Sequence, residues 1–119
     1  MNIKKVSEQT GVSADTIRYY ERIGLLPRVR RNKSGVRDFS EQDIAALEFI
    51  RCFRSAGISV ESLIEYMSLV EEGEGTEKAR MKILEEQLEK LISRIAELQA
   101  AKERLDYKIE NYKKLILKK

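Results

Sequence analysis

The sequence has no histidine and no tryptophan, and cysteine and proline occur once each in 119 residues. Each shortage excludes a class of chemistry. Without imidazole there is no Ser-His or Cys-His catalytic pair and no histidine-dependent metal site. A single cysteine makes neither an intrachain disulfide nor a cysteine-rich zinc site. Aromatics are only 7% of residues while charged residues are 36%, a balance that suits a helical binding module better than an enzyme with a deep apolar pocket. Residues 1–5 carry no apolar signal run, and no stretch approaches the ~20 apolar residues of a membrane span. The chain therefore reads as a soluble cytoplasmic protein without cofactor, metal or membrane partner.

What is present is enough apolar sequence (42%) for a core, in about one domain's length, and an uneven charge. Residues 1–58 carry 11 Lys/Arg against 7 Asp/Glu, a balance of +4, and residues 59–119 carry 12 against 13, a balance of −1. Arg18, Arg22, Arg28, Arg30, Arg31, Lys33 and Arg37 fall in one window whose only acid is Glu21. Such a run is either a solvated basic surface or a phosphate-binding face.

Local signals divide the chain into elements. Asn2 can cap a short helix over Ile3 to Thr10, with Gly11 stopping it, and Ser13 can cap a second over Ala14 to Ile23. Two short helices joined by so brief a turn match a helix-turn-helix, whose second helix enters the major groove. After Pro27, Arg28 to Phe39 reads as two short strands around Asn32-Lys33-Ser34-Gly35, the wing of a winged helix. Ser40 caps a third helix, in which Ala45, Ala46, Phe49, Ile50, Phe53 and Ala56 share one arc with Cys52 at its edge. Gly57 ends that helix and Ser59 caps a fourth, whose Val60, Leu63, Ile64, Met67 and Val70 recur at helical spacing. Tyr20, Phe39, Phe49 and Phe53 are expected to pack in the core.

Glu71-Glu72-Gly73-Glu74-Gly75 is the best domain boundary. From Thr76, a candidate cap, nothing stops a helix on the order of 60 Å long at ~1.5 Å per residue. Its apolar spacing is 3.5 residues. Leu88, Ile95, Ile109 and Ile116 fill a positions, Leu84, Leu91, Leu98, Leu105 and Tyr112 fill d positions, and only Lys102 interrupts the a series. Such a stripe asks for a partner helix, so a homodimer is expected; the pattern does not fix strand direction. The domains are then residues 1–72, comprising reader helices 3–23, a wing at 26–39 and a second helix pair at 40–71, and a coiled-coil helix at 76–119.

The runs Val6-Ser7-Glu8-Gln9-Thr10-Gly11-Val12-Ser13, Thr16-Ile17-Arg18-Tyr19-Tyr20-Glu21, Ile23-Gly24-Leu25-Leu26-Pro27 and Gly35-Val36-Arg37-Asp38-Phe39 closely resemble, in order and separation, the MerR family of bacterial transcription regulators. The resemblance extends over the whole chain. It implies a mainly α fold: a winged helix-turn-helix domain followed by a long dimerisation helix forming an antiparallel coiled coil. It further implies a dimer on a pseudo-palindromic operator in double-stranded promoter DNA. Such a dimer distorts a promoter whose spacer is too long and so acts on RNA polymerase indirectly, a case of indirect readout.

Carried onto matching positions, the resemblance implies DNA contacts from Ala14, Asp15, Thr16, Arg18, Tyr19 and Arg22 on the reading helix. Arg18 would reach guanine or phosphate, and the Tyr19 hydroxyl would reach phosphate. Asp15 stands where some relatives carry a basic residue; an acid there accepts from cytosine but repels phosphate. In the wing, Arg31, Lys33, Ser34 and above all Arg37 are the phosphate candidates. Val36 and Phe39 replace residues that in many relatives are an aromatic and a tyrosine. Arg54, Gly57 and Ser59 match a second wing.

Cys52 has two readings, a small buried hydrophobe and a sensor. The second comes from a short-tailed, single-cysteine subgroup of the family that responds to aldehydes, other electrophiles or thiol oxidation. Arg51 and Arg54 would favour its thiolate and Glu48 would oppose them. With no second cysteine and no further ligand-binding domain in the sequence, metal and drug sensing are not expected. The competing functions are a coiled-coil interaction module whose basic region only solubilises it, a regulator of the same family without thiol sensing, and a thiol-dependent enzyme. The last lacks histidine and any glycine-rich cofactor loop.

Overall fold

A computed structural model describes residues 1–118 and contains five helices: α1 (Ile3–Thr10), α2 (Ala14–Arg22), α3 (Glu41–Ser55), α4 (Val60–Glu72) and α5 (Glu77–Leu117). The starts of the first four follow from their caps. The Asn2, Ser13, Ser40 and Ser59 side chains accept from the backbone N–H of Lys5, Thr16, Asp43 and Ser62. At α3 the Asp43 carboxylate also accepts from Ser40 N–H, completing a reciprocal capping box. Gly11 closes α1 in the left-handed region at φ 76°, where a side chain would be strained. Thr76 behaves differently from the expected cap: its hydroxyl donates to the carbonyls of Leu69 and Gly73 at the end of α4.

Met1–Ile83 form one compact unit and the chain from Leu84 forms another. In the first, Val6, Ile17, Leu25, Leu47 and Ile50 are wholly removed from solvent and are joined by Leu26, Val29, Phe39 and Leu63. Each such side chain contributes about 1.5–3 kcal/mol on burial. Phe49 is 4.6 Å from Phe53 and 5.2 Å from Tyr66, centroid to centroid, along the margin of this core.

Three sequence expectations need correction. The wing is not a pair of strands: among the described residues a single antiparallel bridge, Arg31 to Arg37, is all the ladder that forms. The register runs from Asn32 and Val36 to Arg30 and Asp38 and stops at the next pair, where Val29 N–H donates to Glu21 and Phe39 N–H to the Met1 carbonyl. In α3 the buried face centres on Leu47 and Ile50, and Ala45 is exposed. Of the expected arc, Ile50 is buried and Ala46, Phe49 and Phe53 pack against the core, so the arc holds except at Ala45, while Leu47, which it omitted, is fully buried. In α4 Val70 is exposed, one turn beyond the buried Met67.

In the second unit, α5 continues to Leu117. Leu84, Leu88, Ile95, Leu98, Leu105, Ile109, Tyr112 and Ile116 of its heptad seam are 39–70% exposed, and Leu91 is half-buried. No helix among the described residues is long and apolar enough to cross a membrane.

Candidate nucleic-acid interface

The turn between α1 and α2 is built from one hydroxyl and one glycine. Buried Thr10 donates to the Val6 carbonyl at 2.8 Å and accepts from Val12 N–H at 3.3 Å, which satisfies the chain as it leaves α1. The Arg51 guanidinium of α3 lies 3.6–3.7 Å from the place a Cβ on Gly11 would take. That is ordinary contact, so the demand for glycine at position 11 comes from φ alone.

With Ile17 buried, α2 turns the opposite side outward. Asp15, Arg18, Tyr19 and Arg22, spaced i, i+3, i+4 and i+7, are all exposed and form a single stripe, while Ala14 and Thr16 are half-buried beside it. Arg18 Nη1 donates to Asp15 Oδ1 at 3.0 Å, and the Arg22 guanidinium lies 5.3 Å from the Tyr19 ring centroid. Asp15 is 98% exposed. A solvent-exposed i,i+3 pair contributes about 0–1 kcal/mol, so Arg18 is available to another acceptor at little cost.

Glu21, on the same helix, is bound far more firmly. One carboxylate oxygen accepts from Val29 N–H and the other from Arg37 Nε, both at 2.8 Å. The two side chains are only 12% and 22% exposed. Hydrogen bonds to charged groups contribute about 1.5–3 kcal/mol each in such settings. Burial pushes the Glu21 carboxyl up, but the Val29 N–H, the Arg37 guanidinium and the charge of Arg31 together hold it below the ordinary value of 4.5. It is therefore ionised at neutral pH. Arg37, the foremost phosphate candidate of the sequence, is thus engaged with the reading helix.

The wing tip is closed by Asn32. Its side-chain oxygen accepts from Ser34 and Val36 N–H at 2.9 and 3.1 Å, its N–H donates to the Val36 carbonyl, and Gly35 takes φ 78°. Arg31 Nη1 donates to the Gly35 carbonyl at 3.1 Å. Lys33 and Ser34 stand exposed at the turn, with Val36 half-exposed beside them. At the base, Asp38 N–H donates to the Arg30 carbonyl, and the Met1 ammonium, 2.7 Å from Asp38 Oδ1, holds the Asp38 carboxyl below the usual range.

Between α3 and α4, Arg54 Nη1 donates to the Ile58 carbonyl at 2.7 Å, Gly57 has φ 87° and Ser59 caps α4. Cys52 is exposed on α3. Of the two arginines expected to favour its thiolate, Arg54 donates to the Ile58 carbonyl and the Arg51 guanidinium lies beside Gly11. Sequence reasoning assigned no role to Thr10 or Glu21, placed Asn32 in the turn without its capping role, and read Arg51 only as a neighbour of Cys52. Glu21 left a trace only as the one acid in a basic window.

A helix-turn-helix with Asp15, Arg18, Tyr19 and Arg22 turned outward, a basic hairpin tied to its second helix and a further helix pair define a winged helix-turn-helix protein. The chain belongs to the MerR family: the profile described as MerR HTH family regulatory protein matches residues 1–69, and that described as MerR, DNA binding matches residues 44–107. It is similar to the HTH-type transcriptional regulator AdhR of Bacillus subtilis (strain 168), with 52% identity over 92 residues. That match covers 77% of this chain and 66% of AdhR, just under two thirds of the latter's length. A crystal structure of a MerR family transcriptional regulator from Listeria monocytogenes is 54% identical, with a TM-score of 0.91 over 94% of this chain and 85% of that one. Another, of HiNmlR, described as a MerR family regulator lacking the sensor domain and bound to promoter DNA, is 32% identical, with a TM-score of 0.87 over 95% and 90%. These relatives are regulators, a non-enzymatic function.

Proposed function

We propose that two copies of this chain pair through the heptad seam and bind a pseudo-palindromic operator, each setting α2 into the major groove with its wing against the adjoining backbone. The observation that carries this reading is the Asp15, Arg18, Tyr19 and Arg22 stripe on a helix whose other face is anchored by buried Ile17. The promoter-DNA complex of HiNmlR supports it by likeness of sequence and fold. The dimer acts by bending and twisting an over-long promoter spacer, so RNA polymerase is affected through the DNA.

Cys52 is the proposed input. Its exposure leaves the sulfur open to an aldehyde. The thiolate adds to the carbonyl carbon, a C–S bond forms as the carbonyl π bond opens, and the oxygen takes a proton to give a hemithioacetal. A regulator of the same family without thiol input is the second reading, favoured by the hydrogen bond that directs Arg54 to the Ile58 carbonyl.

The test is transcription in purified form from the DNA upstream of the chain's own gene, with wild type and Cys52→Ser, with and without formaldehyde. Induction of wild type alone is the expected result. Equal induction of both returns Cys52 to a structural role, and no effect of either protein on transcription counts against the operator reading. Affinity should fall steeply with salt. Arg18→Ala should cost about 1–3 kcal/mol of binding in a titration, the range of a good base contact.

A further inference from the structure

We infer that Glu21 is the positioning residue that sets where the wing lies beside the reading helix, and that Arg37 serves the operator through Glu21 rather than as a phosphate contact of its own. The inference rests on the DNA-binding reading above and adds to it the division of labour among the wing's cations.

The geometry is specific to a carboxylate. Two N–H donors, Val29 from the wing's first arm and Arg37 Nε from its second, converge on the two oxygens of one side chain at 2.8 Å each. A carboxylate offers two acceptors; a glutamine offers one, and its NH2 would face the other donor. The base of the wing is held by the buried Val29 and Phe39 side chains and by the Met1 ammonium on Asp38, but none of these hydrogen-bonds it to α2. Its ladder is the one bridge from Arg31 to Arg37, and the Asn32 hydrogen bonds close the tip upon itself. A reading helix and a wing that contact one duplex must keep a fixed spacing, because a misplacement of either forfeits the other's phosphates. Glu21 joins them directly, being on α2 and bonded to both arms. The exposed Lys33 is then left to neutralise phosphate at the tip, while Arg37 gives its Nε to the joint.

The experiment compares the full chain with Glu21→Gln, Arg37→Gln and the double variant. In the free protein, amide exchange at Val29 should quicken about tenfold in Glu21→Gln, the loss of one charge-assisted hydrogen bond, while Ile17 in α2 keeps its protection. On a duplex carrying the chain's own upstream region, hydroxyl-radical footprinting should show wing-side protections lost in each single variant and the reading-helix protections kept. The double variant should bind no more weakly than either single one, since both remove the same joint. Unchanged exchange at Val29 overturns the clamp. Additive losses, with the salt dependence reduced only when Arg37 is replaced, overturn it in favour of an independent phosphate contact. Failure of wild type to bind the duplex counts against the operator reading, and the exchange measurement still decides the clamp.

Discussion

The unit from Met1 to Ile83 and the helix from Leu84 onward solve the problem of apolar side chains in opposite ways. In the first, Val6, Ile17, Leu25, Leu47 and Ile50 have no remaining contact with water, and buried Thr10 has both a donor and an acceptor among its neighbours. In the second, a row of leucines and isoleucines repeats every 3.5 residues and remains 39–70% exposed. The first is complete in one chain. The second has the pattern of half an interface, because an exposed seam of this length is stabilised only when another helix covers it. Specific reading of DNA needs groups held within a fraction of an ångström, and assembly needs only a long, regular stripe.

The sharpest way to break this contrast is to charge the seam. Leu91→Lys with Leu98→Lys should abolish pairing, since each leucine contributes about 1.5–3 kcal/mol per helix on burial. Sedimentation should then fall from a species of twice the 13.8 kDa chain to a single one, with the helical signal of residues 1–83 retained. A seam variant that still sediments as a pair would place assembly elsewhere.

The complementary change, in the self-contained unit, is Leu47→Ala. It should lower the stability of that unit by about 2–5 kcal/mol in urea unfolding, the range for a fully enclosed leucine. A loss below 1 kcal/mol would contradict the face assigned to α3.

The smallest effect concerns pH. Glu21 is held below 4.5 in the folded chain, so its stabilisation is fully present above the unfolded value and is lost as pH falls through the folded one. The difference in urea midpoint between wild type and Glu21→Gln should therefore be constant near neutrality and shrink only below about pH 4.5. A difference that instead grows on acidification would reverse the assigned sign.

What was legible in the sequence was what is local. Asn2, Ser13, Ser40 and Ser59 cap helices through atoms three residues away, and Gly11 ends one through its own φ. The residues of the reading stripe came from the family resemblance; that Ile17 is the buried residue opposite them is read from the structure. The misses are long-range. Glu21 meets partners 8 and 16 residues away, and no spacing rule points to them. Leu47 was missed and Ala45 wrongly included, because the inner face of a helix is settled by what packs against it. The strands expected in the wing stop where the Val29 and Phe39 N–H groups go to Glu21 and the Met1 carbonyl instead of to each other's arm.

That single-bridge wing has a consequence for how such a molecule can change over generations. Residues 32–36 hold their shape through the Asn32 side chain and put nothing into the core, while the joint to α2 lies behind them at Glu21 and Arg37. The tip is therefore a replaceable part: Lys33, Ser34 and Val36 can be exchanged without repacking anything, so new backbone preferences can be tried at no cost to folding. With one bridge instead of a ladder, the hairpin also offers neighbouring molecules almost no strand edge to extend, which lets a cationic finger project into solvent without seeding aggregates.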